Sequence, residues 1–193
     1  MPIKLVAIIG SVTPPGRLSG AIGSTLDAIR AADNQIETSI INLADQKIAF
    51  ADGRPPEQYG DDTAAVVRKV RDADAVIIAS PVYRGSFTGA LKNLLDQLPI
   101  EALLGKPVGI VAMGATNHHY LGVDWHLRDV LAWFGAFVIP SSVYLSSADF
   151  TDGKLSESAQ NDLLALGNAA VKAAGLSNRA ELIGPKPLAA RRN

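Results

Sequence analysis

The chain has 193 residues and a mass of 20.3 kDa, which is enough for one ordinary domain. Its net charge of −1 neither favours nucleic-acid binding nor gives the acidic surface of an electron carrier that docks by charge. The lack of cysteine excludes disulfides, thiolate metal sites and cysteine nucleophiles. No apolar run is long enough to span a bilayer and no export signal is recognisable, so we expect a cytoplasmic protein.

Apolar runs alternate with helical patterns along the chain, which predicts an α/β fold around a parallel sheet. Five buried strands are predicted, at residues 4–10, 36–43, 75–80, 108–113 and about 137–143. Helical spacing follows each of the first four strands, and a last helix is predicted from the N-cap Ser156 to Gly175. Residues 1–175 are therefore expected to form one doubly wound domain, with five parallel strands in the order 2-1-3-4-5 and helices on both faces.

Two features predict contact between subunits. The helices over residues 91–98 and 123–134 are rich in large apolar side chains, including Trp125 and Trp133, and a lone subunit would leave part of them exposed. We therefore expect a homodimer or a homotetramer. The C-terminal tail, residues 176–193, contains two prolines and ends with two arginines and an asparagine. By itself this composition is typical of a disordered terminus; the alternative, which we expect, is a tail that packs on a neighbouring subunit.

The loop after the first strand, residues 10–19, combines hydroxyl groups with a fixed positive charge. Ser11, Thr13 and Ser19 carry the hydroxyls, Arg17 carries the charge, and the loop leads into a helix N-terminus. These groups suit a phosphate. The sequence lacks both G-x-x-x-x-G-K-[ST] and G-x-G-x-x-G, so a monophosphate fits better than a longer phosphate chain. The alternative is an ordinary loop in which Ser19 is only an N-cap.

The segment after the third strand is expected beside this loop, because the predicted strand order reverses direction between strands one and three. Pro81 keeps the preceding residue extended, and Tyr83 offers a flat face. Gly85 and Gly89 allow the backbone to approach a planar ring. These residues predict a cleft for a planar ligand. The alternative is that Tyr83 and Phe87 belong to the core and that the glycines only form turns.

Three segments carry a family pattern: GSVTPPGRLS at residues 10–19, SPVYRGSFTGALKNLLD at residues 80–96, and GKPV with MGAT at residues 105–108 and 113–116. Together with His119 and Trp125 they resemble the NAD(P)H-dependent FMN reductase family of flavodoxin-like proteins. The resemblance covers roughly residues 4–145. It is nearest to the reductases that supply reduced flavin to two-component monooxygenases, such as those of sulfonate utilisation.

The resemblance implies a site for FMN. The FMN phosphate would meet Ser11, Arg17, Leu18 and Ser19. The flavin ring would lie against Pro81, Val82, Tyr83, Arg84, Gly85 and Ser86, and its other edge against Gly114, Ala115, Thr116 and His119. NADH or NADPH would stack on the flavin, and hydride would pass from nicotinamide C4 to flavin N5. No catalytic acid or base is implied, because the transfer takes place between two bound nucleotides.

Several functional alternatives stay open. A reductase that keeps its FMN and reduces quinones, azo dyes or metal ions would share the same loops. A non-enzymatic one-electron carrier is disfavoured by the balanced charge, and a flavodoxin-like domain without flavin is the simplest alternative. The sequence does not choose between NADH and NADPH. His118, His119 and His126 lack an acidic cluster beside them, so we expect no metal site, and no nucleic-acid or membrane partner is expected either.

Overall fold

The architecture is that of a computed structural model, which describes residues 2–13, 16–176 and 184–191. Four long parallel strands form most of the sheet: β1 (Ile3–Ile9), β2 (Ile36–Asn42), β3 (Ala75–Pro81) and β4 (Pro107–Met113). The short strands β5 (Phe137–Val138) and β6 (Val143–Leu145) both pair with β4. The strand order β2-β1-β3-β4-β5 confirms the predicted flavodoxin-like topology.

Alternate side chains of each strand face two separate cores. In β1, Val6 and Ile8 point into one core, and Leu5, Ala7 and Ile9 point into the other. The first core is covered by α2 (Thr63–Arg71), α3 (Gly89–Gln97) and α4 (Gly122–Phe134), and the second by α1 (Arg17–Ala32) and α5 (Glu157–Ala174). Both faces of the sheet are therefore buried, which explains why its strands are apolar almost without interruption.

The fifth strand, predicted as one segment over about residues 137–143, is broken, so that prediction is wrong in this detail. Residues 139–142 separate β5 from β6, and after the N–H of Ile139 donates to the carbonyl oxygen of Val108 at 2.9 Å the chain leaves β4 until β6. Pro140 has no N–H to donate to a neighbouring strand. The Arg128 side chain of α4 instead donates to the carbonyl oxygens of Ile139 and Pro140, at 3.3 and 2.8 Å. A proline and an arginine thus replace sheet pairing with side-chain hydrogen bonds.

The part of the tail that the structure describes, residues 184–191, lies against its own subunit. Ala189 and Ala190 pack on the core under α2, α3 and α4. Pro187 lies 3.0 Å from the position that a Cβ on Gly135 would take. Contact of the tail with a neighbouring subunit stays a prediction, and its residues 177–183 and 192–193 lie outside the described residues.

Candidate active site

Two of the predicted loops are joined at the carboxyl ends of β1 and β3. The N–H of Gly10 donates to the carbonyl oxygen of Ala79 at 2.7 Å. The Thr88 hydroxyl donates to the carbonyl oxygen of Gly10 and, as the N-cap of α3, accepts from the N–H of Leu91. A Cβ on Gly10 would lie 3.0 Å from the Cβ of Leu91, so a glycine suits this close approach. The two loops therefore share one edge of the sheet, as the strand order predicts.

A cavity of about 150 Å³, which we call the α1 cavity, lies at the start of α1. Four residues predicted to bind phosphate line it: Ser11, Arg17, Leu18 and Ser19. The N-cap of α1 is Gly16, so Ser19 is the third residue of the helix and the N-cap alternative is wrong. The first N–H groups of a helix have no partner within the helix, and here they belong to the wall of the α1 cavity.

The groups around the α1 cavity suit an anion. The hydroxyl oxygens of Ser11 and Thr13 lie 2.7 Å apart, and the first turn of α1 carries the cation Arg17 and no acidic residue. The N-terminus of a helix adds partial positive charge and N–H donors. A phosphate monoester fits this set of donors, so the cavity fits the phosphate end of FMN.

Sequence reasoning misses two residues that line the α1 cavity. Asn42 ends β2 and Met113 ends β4, and both contribute to its wall. Their positions are a signal that could have found them, because the carboxyl ends of neighbouring parallel strands meet at one edge of a sheet.

Arg17 lines both the α1 cavity and a second cavity of about 550 Å³, and Phe150 lines the second. One Nη atom of Arg17 donates to the Ser147 hydroxyl at 3.3 Å, and the Cζ of Arg17 lies 5.0 Å from the centre of the Phe150 ring. Phe150 begins the hairpin formed by β7 (Phe150–Thr151) and β8 (Lys154–Leu155). Nothing in the sequence pattern connects Arg17 with residues 130 positions further along the chain.

Residues 83–86, which we call the aromatic turn, form a tight reverse turn beside the α1 cavity. The N–H of Tyr83 donates to the carbonyl oxygen of Ser86 at 2.8 Å, and the reverse bond is 3.1 Å long. Arg84 and Gly85 have φ angles of 52° and 80°, which is the type I′ geometry. Tyr83 is 47% exposed, so it is not a core residue as the alternative supposed. Phe87, by contrast, does pack on the core.

Helix α4 holds the aromatic turn in place. The Ser86 hydroxyl and His126 Nδ1 lie 2.8 Å apart and form a hydrogen bond. A Cβ on Gly122, the first residue of α4, would lie 2.5 Å from the carbonyl oxygen of Gly85. The turn therefore rests directly on the helix backbone, and a glycine at this point of α4 makes that possible.

Residues 114–116, which we call the glycine turn, form the opposite side of the cleft. The N–H of Gly114 donates to the carbonyl oxygen of Leu145 at 2.9 Å. The Tyr144 hydroxyl donates to the carbonyl oxygen of Thr116 at 2.6 Å. Burial raises the pKa of Tyr144 above its ordinary value, so the hydroxyl loses its proton only at a more alkaline pH than a free tyrosine does. The N–H of Val82 donates to the carbonyl oxygen of Met113 at 2.8 Å and joins the two sides of the cleft.

A planar ring bound here would lie between the two turns, which follow the neighbouring strands β3 and β4. Nothing lies within 4 Å of the position that a Cβ on Gly85 would take, so ligand can reach the backbone of the aromatic turn. The half-exposed Tyr83 offers the face of its ring at the same place. An open planar cleft beside an anion site fits the two ends of a flavin mononucleotide.

The three histidines have different surroundings. Thr116 and His118 Nδ1 form a hydrogen bond of 3.0 Å, and His126 bonds to Ser86. His119, predicted near the flavin, is exposed in a short helical turn that follows the glycine turn. Among the described residues, no three His, Asp or Glu side chains are grouped as metal ligands would be. Within that same part of the chain, no helix is long and apolar enough to cross a membrane.

The fold and this site define a flavodoxin-like protein with a place for a flavin at the switch point of its sheet. Known proteins agree. The family model described as NADPH-dependent FMN reductase matches residues 3–150, and the chain belongs to this family. It is thus an oxidoreductase that uses FMN and a nicotinamide nucleotide, as the three sequence segments predict.

Relatives support the same assignment, and a solved structure supports the fold. An NAD(P)H-dependent FAD/FMN reductase of Geobacillus thermodenitrificans is 39% identical over 61% of this chain, and the match spans only 64% of that relative's length. An FMN reductase (NADPH) of Pseudomonas aeruginosa is 34% identical over 80% of this chain and 82% of its own. The apo structure of an NADH:FMN oxidoreductase, EMOB, superposes with a TM-score of 0.79 at 24% identity, covering 95% of this chain and 97% of that one.

Proposed function

We propose that this chain reduces FMN with NADH or NADPH and supplies the reduced flavin to a partner monooxygenase. The observation that carries the proposal is the anion site at the start of α1 beside an open cleft. Both ends of the site are accessible, because Arg17 is exposed and Tyr83 is half-exposed. An accessible site suits a flavin that enters and leaves as a substrate more than one that is kept as a prosthetic group.

The residues of this chain would bind and orient the two nucleotides. Arg17, Ser11 and Ser19 would hold the phosphate, while the aromatic turn and the glycine turn would flank the ring. Bound FMN supplies the N5 atom that accepts hydride from nicotinamide C4, so no protein side chain has to carry a proton in that step. Arg84, on the exposed aromatic turn, is the candidate for stabilising negative charge on the reduced ring, on the basis of its position.

The proposal is tested by oxidation of NADH and of NADPH by the purified protein, titrated with free FMN. We expect protein that carries little flavin and a rate that rises with FMN until it saturates. Protein that arrives fully loaded with FMN and needs a quinone or a dye for turnover would instead support the flavin-retaining reductase. No turnover with either acceptor would leave only a binding or carrier role.

The phosphate assignment has its own test. Arg17→Ala should weaken FMN binding about tenfold, because a charge-assisted contact to phosphate is lost. Riboflavin lacks the phosphate, so its binding should not change. Lys154→Ala removes a cation from the wall of the larger cavity only, which makes it the matched control. Equal FMN affinity in the Arg17 variant and the parent would overturn the assignment.

We further propose that two or four copies of the chain associate through α3 and α4. A groove of about 550 Å³ runs between these helices; its apolar lining includes Leu95, Leu98, Val130 and Trp133, and the charged residues Lys92, Asp96 and Asp129 also line it. Trp125 and Trp133 are 64% and 57% exposed on the single subunit, which is unusual for such large apolar side chains. We place the reaction in the cytoplasm, where reduced nicotinamide nucleotides are available.

A further inference from the structure

Two side chains far from the flavin loops hold the charged end of Arg17. The Phe150 ring lies under the guanidinium, and the Ser147 hydroxyl accepts a hydrogen bond from it. Arg17 is exposed, and a long exposed side chain normally moves among many rotamers. Arg17 also lines the α1 cavity, so these two contacts fix the direction in which its charged end lies beside that cavity.

The segment that carries the two contacts is fixed without Arg17. The Ser146 hydroxyl accepts from the N–H of Ala148 at 3.2 Å, and the Asp149 carboxylate accepts from the N–H of Ser146 at 2.7 Å. The N–H of Ser156 donates to the carbonyl oxygen of Asp149 at 2.8 Å. Phe150 is partly buried against the core under α1 and α5. The segment is thus a rigid support, and Arg17 is the mobile partner.

We propose that Phe150 and Ser147 are positioning residues for phosphate recognition, which hold the Arg17 guanidinium at the α1 cavity. The inference rests on the proposed role of that cavity in binding the FMN phosphate. A guanidinium stacked on an aromatic face keeps N–H groups at its edge free to donate. An arginine that is already held loses less rotamer freedom when phosphate binds. Flavins with a phosphate should benefit from this arrangement, and flavins without one should not.

The test compares FMN with riboflavin, using the quenching of flavin fluorescence on binding as the readout. Phe150→Leu keeps an apolar side chain on the core but removes the ring face. We expect the dissociation constant for FMN to rise about three- to fivefold and that for riboflavin to stay the same. Phe150→Tyr restores a ring and should restore FMN binding. Ser147→Ala should have a smaller effect, about twofold, because its hydrogen bond is long.

Two further variants distinguish the positioning of Arg17 from a general disturbance of the fold. Phe137→Leu is the matched control, because Phe137 is another partly buried phenylalanine on the same core, and it should change neither dissociation constant. In an Arg17→Ala background, Phe150→Leu should add nothing, because the side chain to be positioned is gone.

Each contrary result has a defined meaning. Equal weakening of FMN and riboflavin in Phe150→Leu, or tighter FMN binding, would overturn the positioning role. If Arg17→Ala weakens FMN binding and Phe150→Leu does not, the positioning role fails and the phosphate site stands. If Arg17→Ala has no effect on FMN, the proposed flavin site itself fails.

Discussion

The hydroxyl group of Tyr144 occupies the space that the Cβ of any other residue at Gly114 would need. The same hydroxyl donates to the carbonyl oxygen of Thr116. Tyr144 thus requires a glycine at position 114, the first residue of the glycine turn. It also fixes Thr116, the third residue, through a hydrogen bond. The shape of the cleft on this side depends on a residue from β6, outside all three family segments.

Gly114→Ala should therefore displace Tyr144 and distort the glycine turn. We expect a loss of roughly 1–3 kcal/mol in the free energy of unfolding, measured by urea denaturation, together with weaker flavin binding. Adding Tyr144→Phe removes the obstructing oxygen and should recover part of the loss. Gly23→Ala in the middle of α1 is the control, since its Cβ meets no atom closer than 4.0 Å and alanine favours helix. A Gly114→Ala protein as stable as the parent would contradict this view of the turn.

Tyr144 should also make stability depend on pH in the alkaline range. Burial raises its pKa in the folded state, so above a pH of about 10 the unfolded chain ionises first and is favoured. This contribution to stability is complete below that pH and declines as the pH rises through the folded-state pKa. Thermal melts between neutral pH and about pH 11 should show a decline that Tyr144→Phe lacks. Tyr120→Phe, at an exposed tyrosine, should retain the decline of the parent.

Arg84 takes a backbone conformation that an arginine rarely adopts, which suggests a conflict between stability and function at the aromatic turn. Arg84→Asn creates an Asn-Gly pair, which type I′ turns prefer. We expect a gain of roughly 0.5–1 kcal/mol in the free energy of unfolding, with slower reduction of FMN because the positive charge is lost. Asp152→Asn, at the other non-glycine residue with positive φ, should alter neither quantity appreciably. A stabilised Arg84→Asn protein with undiminished turnover would show that this cation has no part in the reaction.

Trp133 should contribute to association between subunits. Trp133→Glu places a charge in the groove between α3 and α4 and should weaken association at least about 100-fold. Light scattering should then give the mass of one chain, 20.3 kDa, without loss of secondary structure. Leu176→Glu, an exposed apolar residue just after α5 on the opposite side of the sheet, is the control and should not change the mass. A parent protein that is already a single chain would refute the proposed assembly.

The sheet could be predicted closely from the sequence, because β1, β3 and β4 are buried on both faces and are therefore apolar almost throughout, while β2 at one edge is more polar. The four long strands agree with prediction within one residue at each end. The strand at the β5 edge could not be predicted as well, although β2 at the other edge agrees within one residue, because its middle has no backbone N–H at the proline to pair with β4. Pro140 indicates in the sequence that the strand is interrupted. The hydrogen bonds from Arg128 to the carbonyl oxygens at the break depend on how α4 lies over the sheet, which the sequence does not show.

The sequence predicts those parts of the candidate site that lie within one loop, where the residue types themselves indicate a ligand. It does not predict contacts between residues that are far apart in the chain. Ser11, Arg17 and Ser19 could be found together because hydroxyls and a cation precede a helix. Local sequence contains no sign that Phe150 supports Arg17 or that Tyr144 fills the space beside Gly114. The pairing of β4 with β6 creates the second contact, and the place of the β7–β8 hairpin beside α1 creates the first. The φ angle of Arg84 is similarly hidden, because the hydrogen bonds of the aromatic turn and the packing of α4 impose it.

The break in the edge strand bears on how the protein behaves at high concentration. An uninterrupted edge strand exposes a row of N–H and C=O groups on which a second chain can build, and this is a common start of aggregation. Here β5 and β6 have two and three residues, Pro140 lacks an N–H, and Arg128 already occupies its carbonyl oxygen. This edge is too short for a strand of a second chain to pair with it and extend the sheet. The molecule can therefore expose apolar helices for assembly without fibril growth starting at this edge.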